Sequence, residues 1–226
     1  GESDRLLAQW QIGANDDPET KNAAHQLGNQ FSDAFYSAAT QAIEQIEHEA
    51  TRQGVASKLF ATTLLFAVVR QQDNKTFISS FWVGDGAIAV YGKDRVRLMG
   101  KPDGGEFAGQ TRFLDYGCLL RDFKQRVHIG YFDDAQAVIL MTDGISDPRF
   151  ETDAGLENQQ KWQALWQEIE PHLQQEQPEQ ALLEWSKFFS AGHHDDRTLA
   201  ILWQMLQDDQ ISNMTVPDDS VGVVDE

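Results

Sequence analysis

Between Glu19 and Gln53 apolar residues recur at three- and four-residue steps: Leu27, Phe31, Phe35, Ala38, Ala42, Ile46 and Ala50. That period predicts an amphipathic helix with one apolar stripe, stopped by Gly54, with Glu44, Glu47 and Glu49 on its other face. The pattern then changes. Leu59–Arg70 and Phe77–Val83 are dense in apolar and β-favouring residues, Gly84-Asp85-Gly86 leads into Ala87–Tyr91, and Gly92-Lys93-Asp94 leads into Arg95–Met99. These runs predict antiparallel strands joined by tight turns, and Arg126–Phe132 and Ala135–Met141 predict two more. Lys101–Gln110, with Pro102-Asp103-Gly104-Gly105 near its start, reads as a loop. Helical spacing returns from Glu157 to Ser190. Trp162, Leu165, Trp166 and Ile169 form one stripe, and Leu182, Leu183, Trp185, Phe188 and Phe189 form another, with Pro171 and Pro178 marking the break. Thr198–Gln204 predicts a last strand.

A long helix, then strands, a late helical pair and a final strand predict an antiparallel α/β (α+β) sandwich. The strict β-α alternation of a doubly wound parallel sheet is absent. The 226 residues suit one large domain, placed at 1–206, followed by an acidic tail at 207–226 poor in large apolar residues.

Charge narrows the choice of partners. Eighteen basic residues against 36 acidic ones leave a net charge of −18. Nucleic acid and anionic membrane surfaces need clustered Lys and Arg, so neither is expected as a partner. Cys118 is the single cysteine, which leaves no internal disulfide and points to a cytoplasmic setting. No apolar run reaches the roughly 18 residues that would span a bilayer. The opening GESDRLLAQWQ lacks the basic and apolar regions of a signal peptide.

The candidate chemistry lies in aspartates at strand ends. Asp85 follows FISSFWVG, Asp143 follows AVILMT with Asp147 four residues on, and Asp195 and Asp196 precede TLAILW. A carboxylate at a sheet edge can project into a shared cleft, and neighbouring Gly lets backbone approach closely. Several such carboxylates repel one another and take up protons unless a cation joins them. Mg²⁺ and Mn²⁺ prefer oxygen donors of this kind. Strand-end Asp also serves in turns and caps, so the pattern alone leaves both readings open.

Three of these stretches together resemble the metal-dependent serine/threonine protein phosphatases of the protein phosphatase 2C-like family, bacterial members included. FWVGDGAIAVY is similar to the family's VGDSR-like hairpin, with Gly86 where Ser is common. VILMTDGISD is similar to its SDG(hydrophobic)xD motif, and HHDDRTLAILW to its final D(D/N)xT motif. Ala61-Thr62-Thr63 resembles the GTT strand ahead of the hairpin, and GEFAGQTRFL resembles a segment of small bacterial members. The resemblance spans about Ser57 to Trp203. It implies a four-layer α-β-β-α sandwich of two antiparallel sheets flanked by helices. It further implies two or three Mn²⁺ or Mg²⁺ ions and hydrolysis of phosphoserine or phosphothreonine by a metal-bound water. Asp143 and Asp195 would ligate the metal centre, Asp85 and Asp147 would join Asp143 in an additional weaker site, and Asp196 would orient backbone beside Gly144 and Gly86. No residue is assigned a catalytic role by itself. Phosphorylated proteins would be the partners, with a partner serine/threonine kinase.

One family feature has no counterpart here. Members carry an N-terminal phosphate-binding Arg and an (A/V)DG(H/A)G motif, whereas Asn15-Asp16-Asp17 is followed by Pro18 and nothing before Gly54 fits. The expectation is a chain without that motif, through loss, truncation or residues outside this sequence, with an N-terminally incomplete sandwich. The alternative function is therefore a non-catalytic phosphatase-like regulatory or interaction module.

Other signals read more simply. Gly144-Ile145-Ser146-Asp147-Pro148 falls one Gly short of a nucleophile elbow, so Ser146 reads as a turn residue. His193-His194 lacks the Cys or H-E-x-x-H partners of a zinc site. The tryptophans at 162, 166 and 185 have helical spacing and read as core.

Overall fold

The computed structural model describes residues 2–12, 18–72, 75–93, 95–100, 102–103, 111–188, 190, 192 and 195–204. The predicted tail, His193-His194, Phe189, Asn15–Asp17 and the whole GEFAGQ stretch lie outside the described residues.

The long helix forms as its period predicts, as α2 (Pro18–Gln53), preceded by a helix the sequence reading did not anticipate, α1 (Glu2–Ile12). The buried face of α2 runs through Ala23, Leu27, Phe35, Ala39, Ile43 and Ala50. Ala39 replaces the expected Ala38, which is exposed. A straight helix at 3.6 residues per turn drifts off a strict three-four repeat, so the stripe slips by one residue toward its C-terminal half.

Among the described residues seven strands follow the predicted order: β1 (Leu64–Gln72), β2 (Lys75–Val83), β3 (Ala87–Gly92), β4 (Val96–Gly100), β5 (Val127–Phe132), β6 (Ala135–Met141) and β7 (Leu199–Trp203). They form two antiparallel sheets, one ordered β1-β2-β5 and the other β4-β3-β6-β7. Several boundaries shift from expectation, two of them because a short helix precedes the strand. Ser57–Phe60 and Phe123–Arg126 are single 3₁₀ turns, so β1 begins at Leu64 and β5 at Val127.

The layers are visible in the packing. Ile78 and Trp82 of β2 face Ile88 and Val90 of β3 and Val138 of β6 between the sheets. On the outer face of the first sheet, Phe81 and Val83 pack against Phe35, Ala39 and Ile43 of α2 and against α3 (Tyr116–Asp122). On the outer face of the second, Ala87, Ala89, Ala137 and Ile139 pack against Trp162, Leu165, Trp166 and Ile169 of α5 (Gln159–Leu173). The small alanines leave room for indoles, and Trp166 stacks on Tyr91 at 4.7 Å between ring centroids. The result is the α-β-β-α sandwich of two antiparallel sheets. Central strands covered on both faces are buried almost throughout, Thr76, Ser79 and Ser80 of β2 included, which is why β2 and β3 show apolar runs rather than alternation.

The late helices need two corrections. Pro171 lies inside α5, and the break before α6 (Pro178–Trp185) falls at Gln174–Gln177. Burial of Ile169 and Leu173 holds the last turn despite the hydrogen bond that proline removes. Leu183 is exposed, while Leu182 and Trp185 carry the contact to the core. No described helix is long and apolar enough to cross a membrane.

Candidate metal centre

The link from β2 to β3 is not the hairpin turn its sequence suggests. β2 and β3 belong to different sheets, so Gly84-Asp85-Gly86 crosses from one to the other. Glycine is required for that crossing. Gly84 has φ +113°, and a Cβ on it would meet the Thr63 side chain at 2.4 Å; one on Gly86 would meet the Met141 carbonyl at 2.6 Å. Asp85, half-buried between them, is therefore delivered to the end of the sandwich where β6 also stops. Its Oδ2 accepts a hydrogen bond from the Thr111 hydroxyl.

At the end of β6 the chain enters α4 (Asp143–Phe150) directly, where a turn was expected. Ser146 is consequently buried inside a helix and is no turn residue. Asp143 is the first residue of α4, and its Oδ1 accepts from the Gly144 N–H at 2.8 Å. Asp147 lies one turn further along the helix and is exposed. An i, i+4 step leaves it on the face that carries Asp143.

Asp195 and Asp196 are brought in by the segment ahead of β7. Thr142 clamps that segment to the end of β6. Its N–H donates to the Thr198 carbonyl at 3.1 Å, and its Oγ1 accepts from the Thr198 N–H at 3.0 Å. Gly144 allows the close approach: a Cβ there would stand 2.4 Å from the Asp196 carbonyl oxygen and 3.0 Å from that of Asp195. Arg197 adds a bond from Nε to the Gly144 carbonyl at 3.1 Å and one from Nη1 to the Ser186 carbonyl at 2.7 Å. Asp196 takes part through its backbone, its carbonyl accepting from the Thr142 hydroxyl at 3.3 Å. Thr111, Thr142 and Arg197 were missed by the sequence reading. Only the placement of Thr142 and Arg197 directly beside the predicted aspartates could have drawn attention to them.

Three elements consequently place Asp85, Asp143 and Asp195 within electrostatic reach of one another. Burial pushes the Asp143 carboxyl above the usual carboxylate range, the negative charges of Asp85 and Asp195 push it the same way, and the Gly144 N–H opposes them. None of the three forms an ion pair among the described residues. A set of hard oxygen donors that repel one another matches the chemistry of Mg²⁺ or Mn²⁺. Among the described residues no group of three or more His, Cys, Asp or Glu closes tightly enough to enclose an ion by itself.

Comparison with known proteins agrees with the motifs. A model of the protein phosphatase 2C family matches residues 4–186. The match takes in α1 and α2, which the sequence resemblance left out, and ends ahead of Asp195. No curated protein matches significantly. Among solved structures, the phosphatase domain of the cell fate determinant SpoIIE from Bacillus subtilis is 17% identical, with TM-score 0.34, covering 96% of this chain and 77% of that one. A sex determining protein of C. elegans is 12% identical, with TM-score 0.40, covering 87% of this chain and 50% of that one. Superpositions this loose add nothing to the family match.

Proposed function

The chain belongs to the protein phosphatase 2C family, a family of metal-dependent phosphatases, and from that premise we propose that it hydrolyses phosphoserine and phosphothreonine on proteins. The observation that supports this most directly is the convergence of Asp85, Asp143 and Asp195 from three separate elements, repelling one another and lacking ion-pair partners among the described residues. In this reading Asp143 and Asp195 hold a Mn²⁺ or Mg²⁺ ion, and Asp85 and Asp147 join Asp143 at a second, weaker position. A bound divalent cation supplies charge neutralisation at the phosphoryl oxygens and a more acidic water nucleophile. Gly144 and Gly86 act by letting backbone and carboxylates approach, and Thr142 with Arg197 fixes the segment that carries Asp195. The substrates are phosphorylated proteins made by a serine/threonine kinase.

One alternative is a phosphatase-like module that binds partners without turnover, since nothing before Gly54 matches the family's (A/V)DG(H/A)G motif. One experiment separates the two. Hydrolysis of p-nitrophenyl phosphate is measured with Mn²⁺, with EDTA and in Asp143→Ala, with folding checked by circular dichroism. Turnover that needs metal and disappears in the variant supports the enzyme. A folded protein with no turnover under any metal condition rejects it and leaves the non-catalytic module.

A further inference from the structure

Polar contacts bracket Asp85, reaching its neighbour Gly84 on one side and, through Thr111, its carboxylate on the other. Their hub is Arg126, buried at 3% exposure at the start of β5. The Arg126 guanidinium grips the Asp122 carboxylate with a two-pronged fork, Nε to Oδ1 and Nη2 to Oδ2, both at 3.0 Å. Its Nη1 donates to Asp103 Oδ2 at 2.6 Å and to the Trp82 carbonyl at 3.3 Å. Asp103 in turn pins Gly84 in both directions. Its Oδ2 accepts from the Gly84 N–H at 2.8 Å, and its own N–H donates to the Gly84 carbonyl at 3.0 Å. That arm ends one residue from Asp85. The other arm leaves from Asp122, whose Oδ2 also accepts from Arg112 Nη1 at 2.6 Å. Arg112 follows Thr111, the residue whose hydroxyl donates to the Asp85 carboxylate.

Such an arrangement exceeds what stability alone asks of a buried arginine. A buried ion pair gains little net stability over apolar packing, because desolvation offsets the Coulombic attraction. What it does provide is a fixed geometry, and here both arms converge on one residue: one fixes the main chain of Asp85, the other its carboxylate. We propose that Arg126, Asp103, Asp122 and Arg112 form a positioning ring that holds Asp85 toward Asp143. Arg126 and Asp103 act through Gly84, and Arg112 acts through Thr111. Their value for metal binding rests on the function proposed above, whereas the positioning itself does not.

Arg126 and Asp103 are poor first targets, since losing either leaves buried charge unpaired and threatens the fold. Arg112 is more open, with its side chain 39% exposed, and it joins the ring through its bond to Asp122. Arg112→Met is therefore the test, with Arg112→Lys as rescue and Leu165→Ala, a core lesion in α5, as control. Two readouts are taken: amide hydrogen exchange at Gly84–Gly86 in the metal-free protein, and Mn²⁺ affinity by electron paramagnetic resonance. The ring predicts that Arg112→Met speeds exchange at Gly84, which Arg112 neighbours through its main-chain carbonyl but not through the side-chain bond that the substitution removes, by roughly 5- to 10-fold while the β2 and β3 amides stay protected. It also predicts Mn²⁺ binding weaker by about 10-fold, in the range of lost outer-shell support. Arg112→Lys retains most of both, and Leu165→Ala lowers the melting temperature without selective loosening of Gly84. Wild-type exchange at Gly84–Gly86 in Arg112→Met overturns the ring. Faster exchange in a protein whose wild type binds no Mn²⁺ supports the ring and sinks the metal reading.

Discussion

Gly144→Ala and Gly28→Ala are the same substitution in two helices, and the structure gives them opposite signs. A Cβ on Gly144 would lie 2.4 Å from the Asp196 carbonyl oxygen, against 3.4–4 Å for an ordinary contact. The obstructing atoms are backbone, held by Thr142 and Arg197, so about 1 Å of main-chain movement is required. Overpacking of this kind costs about 1–3 kcal/mol. Alanine returns at most about 0.5–1 kcal/mol through lower backbone entropy in the unfolded chain and better helix propensity. The balance is a loss of roughly 1–2 kcal/mol, which lowers the melting temperature by roughly 2–8 °C in a chain of this size. The movement also carries Asp195 away from Asp143, so on the proposed metal reading Mn²⁺ affinity falls with stability. Gly28, in α2, offers the contrast. A Cβ there would meet Ile129 Cδ1 at 3.6 Å, an ordinary contact, so the backbone term survives and the melting temperature rises by roughly 1–4 °C. Differential scanning calorimetry of both variants, with Mn²⁺ titration of Gly144→Ala, decides the matter. A Gly144→Ala protein as stable as wild type would refute the packing argument for the junction between α4 and the segment before β7.

Asp143→Asn bears on the electrostatics. The folded carboxyl is shifted upward by burial and by Asp85 and Asp195, so the native state holds that proton more tightly than the unfolded chain. Its contribution to stability is therefore complete below the unfolded pKa and is lost as pH rises through the higher folded value. At neutral pH and without metal, Asp143→Asn raises the melting temperature by on the order of 1–2 °C, a small effect because the group is partly solvated. The gain shrinks toward pH 4, and a variant less stable than wild type across pH 4–8 would contradict it. Trp162, fully buried, donates from Nε1 to the Leu156 carbonyl at 2.7 Å and packs on Phe150 with ring centroids 4.5 Å apart. Trp162→Phe costs about 2–4 kcal/mol in urea unfolding, combining lost volume with a stranded buried carbonyl. The Cys118 thiol is buried, and burial first, then nearby carboxylates, raise its pKa against the pull of Arg126. It reacts with a disulfide reagent at pH 8 only as fast as the chain unfolds, so rapid labelling of the native protein would contradict its burial.

Most of the elements were legible in the sequence because local pattern suffices for them. The period of α2, the apolar runs of β2, β3 and β6, and the Trp162–Ile169 stripe each record which faces are covered, and burial agrees. The aspartates of the candidate site drew attention for a related reason: a carboxylate beside glycine at a strand end stands out against the apolar run before it. The sequence did not show to which sheet each strand belongs. Gly84-Asp85-Gly86 has the composition of a hairpin turn, and only the pairing of β2 with β1 and β5, and of β3 with β4 and β6, makes it a crossing between sheets. Nor did it show α1 or the helical start at Asp143, because short helices draw their stability from packing rather than propensity. The contacts that aim the site were equally hidden. Asp103 meets Gly84 across 19 residues, Arg126 meets Asp103 across 23, and Thr142 meets Thr198 across 56. Hydrogen bonds at such separations leave no periodic trace along a chain, since they depend on where sheets and helices bring backbone together. The sequence by itself determined which residues carry charge at the ends of strands, and the tertiary structure decided which of them face one another.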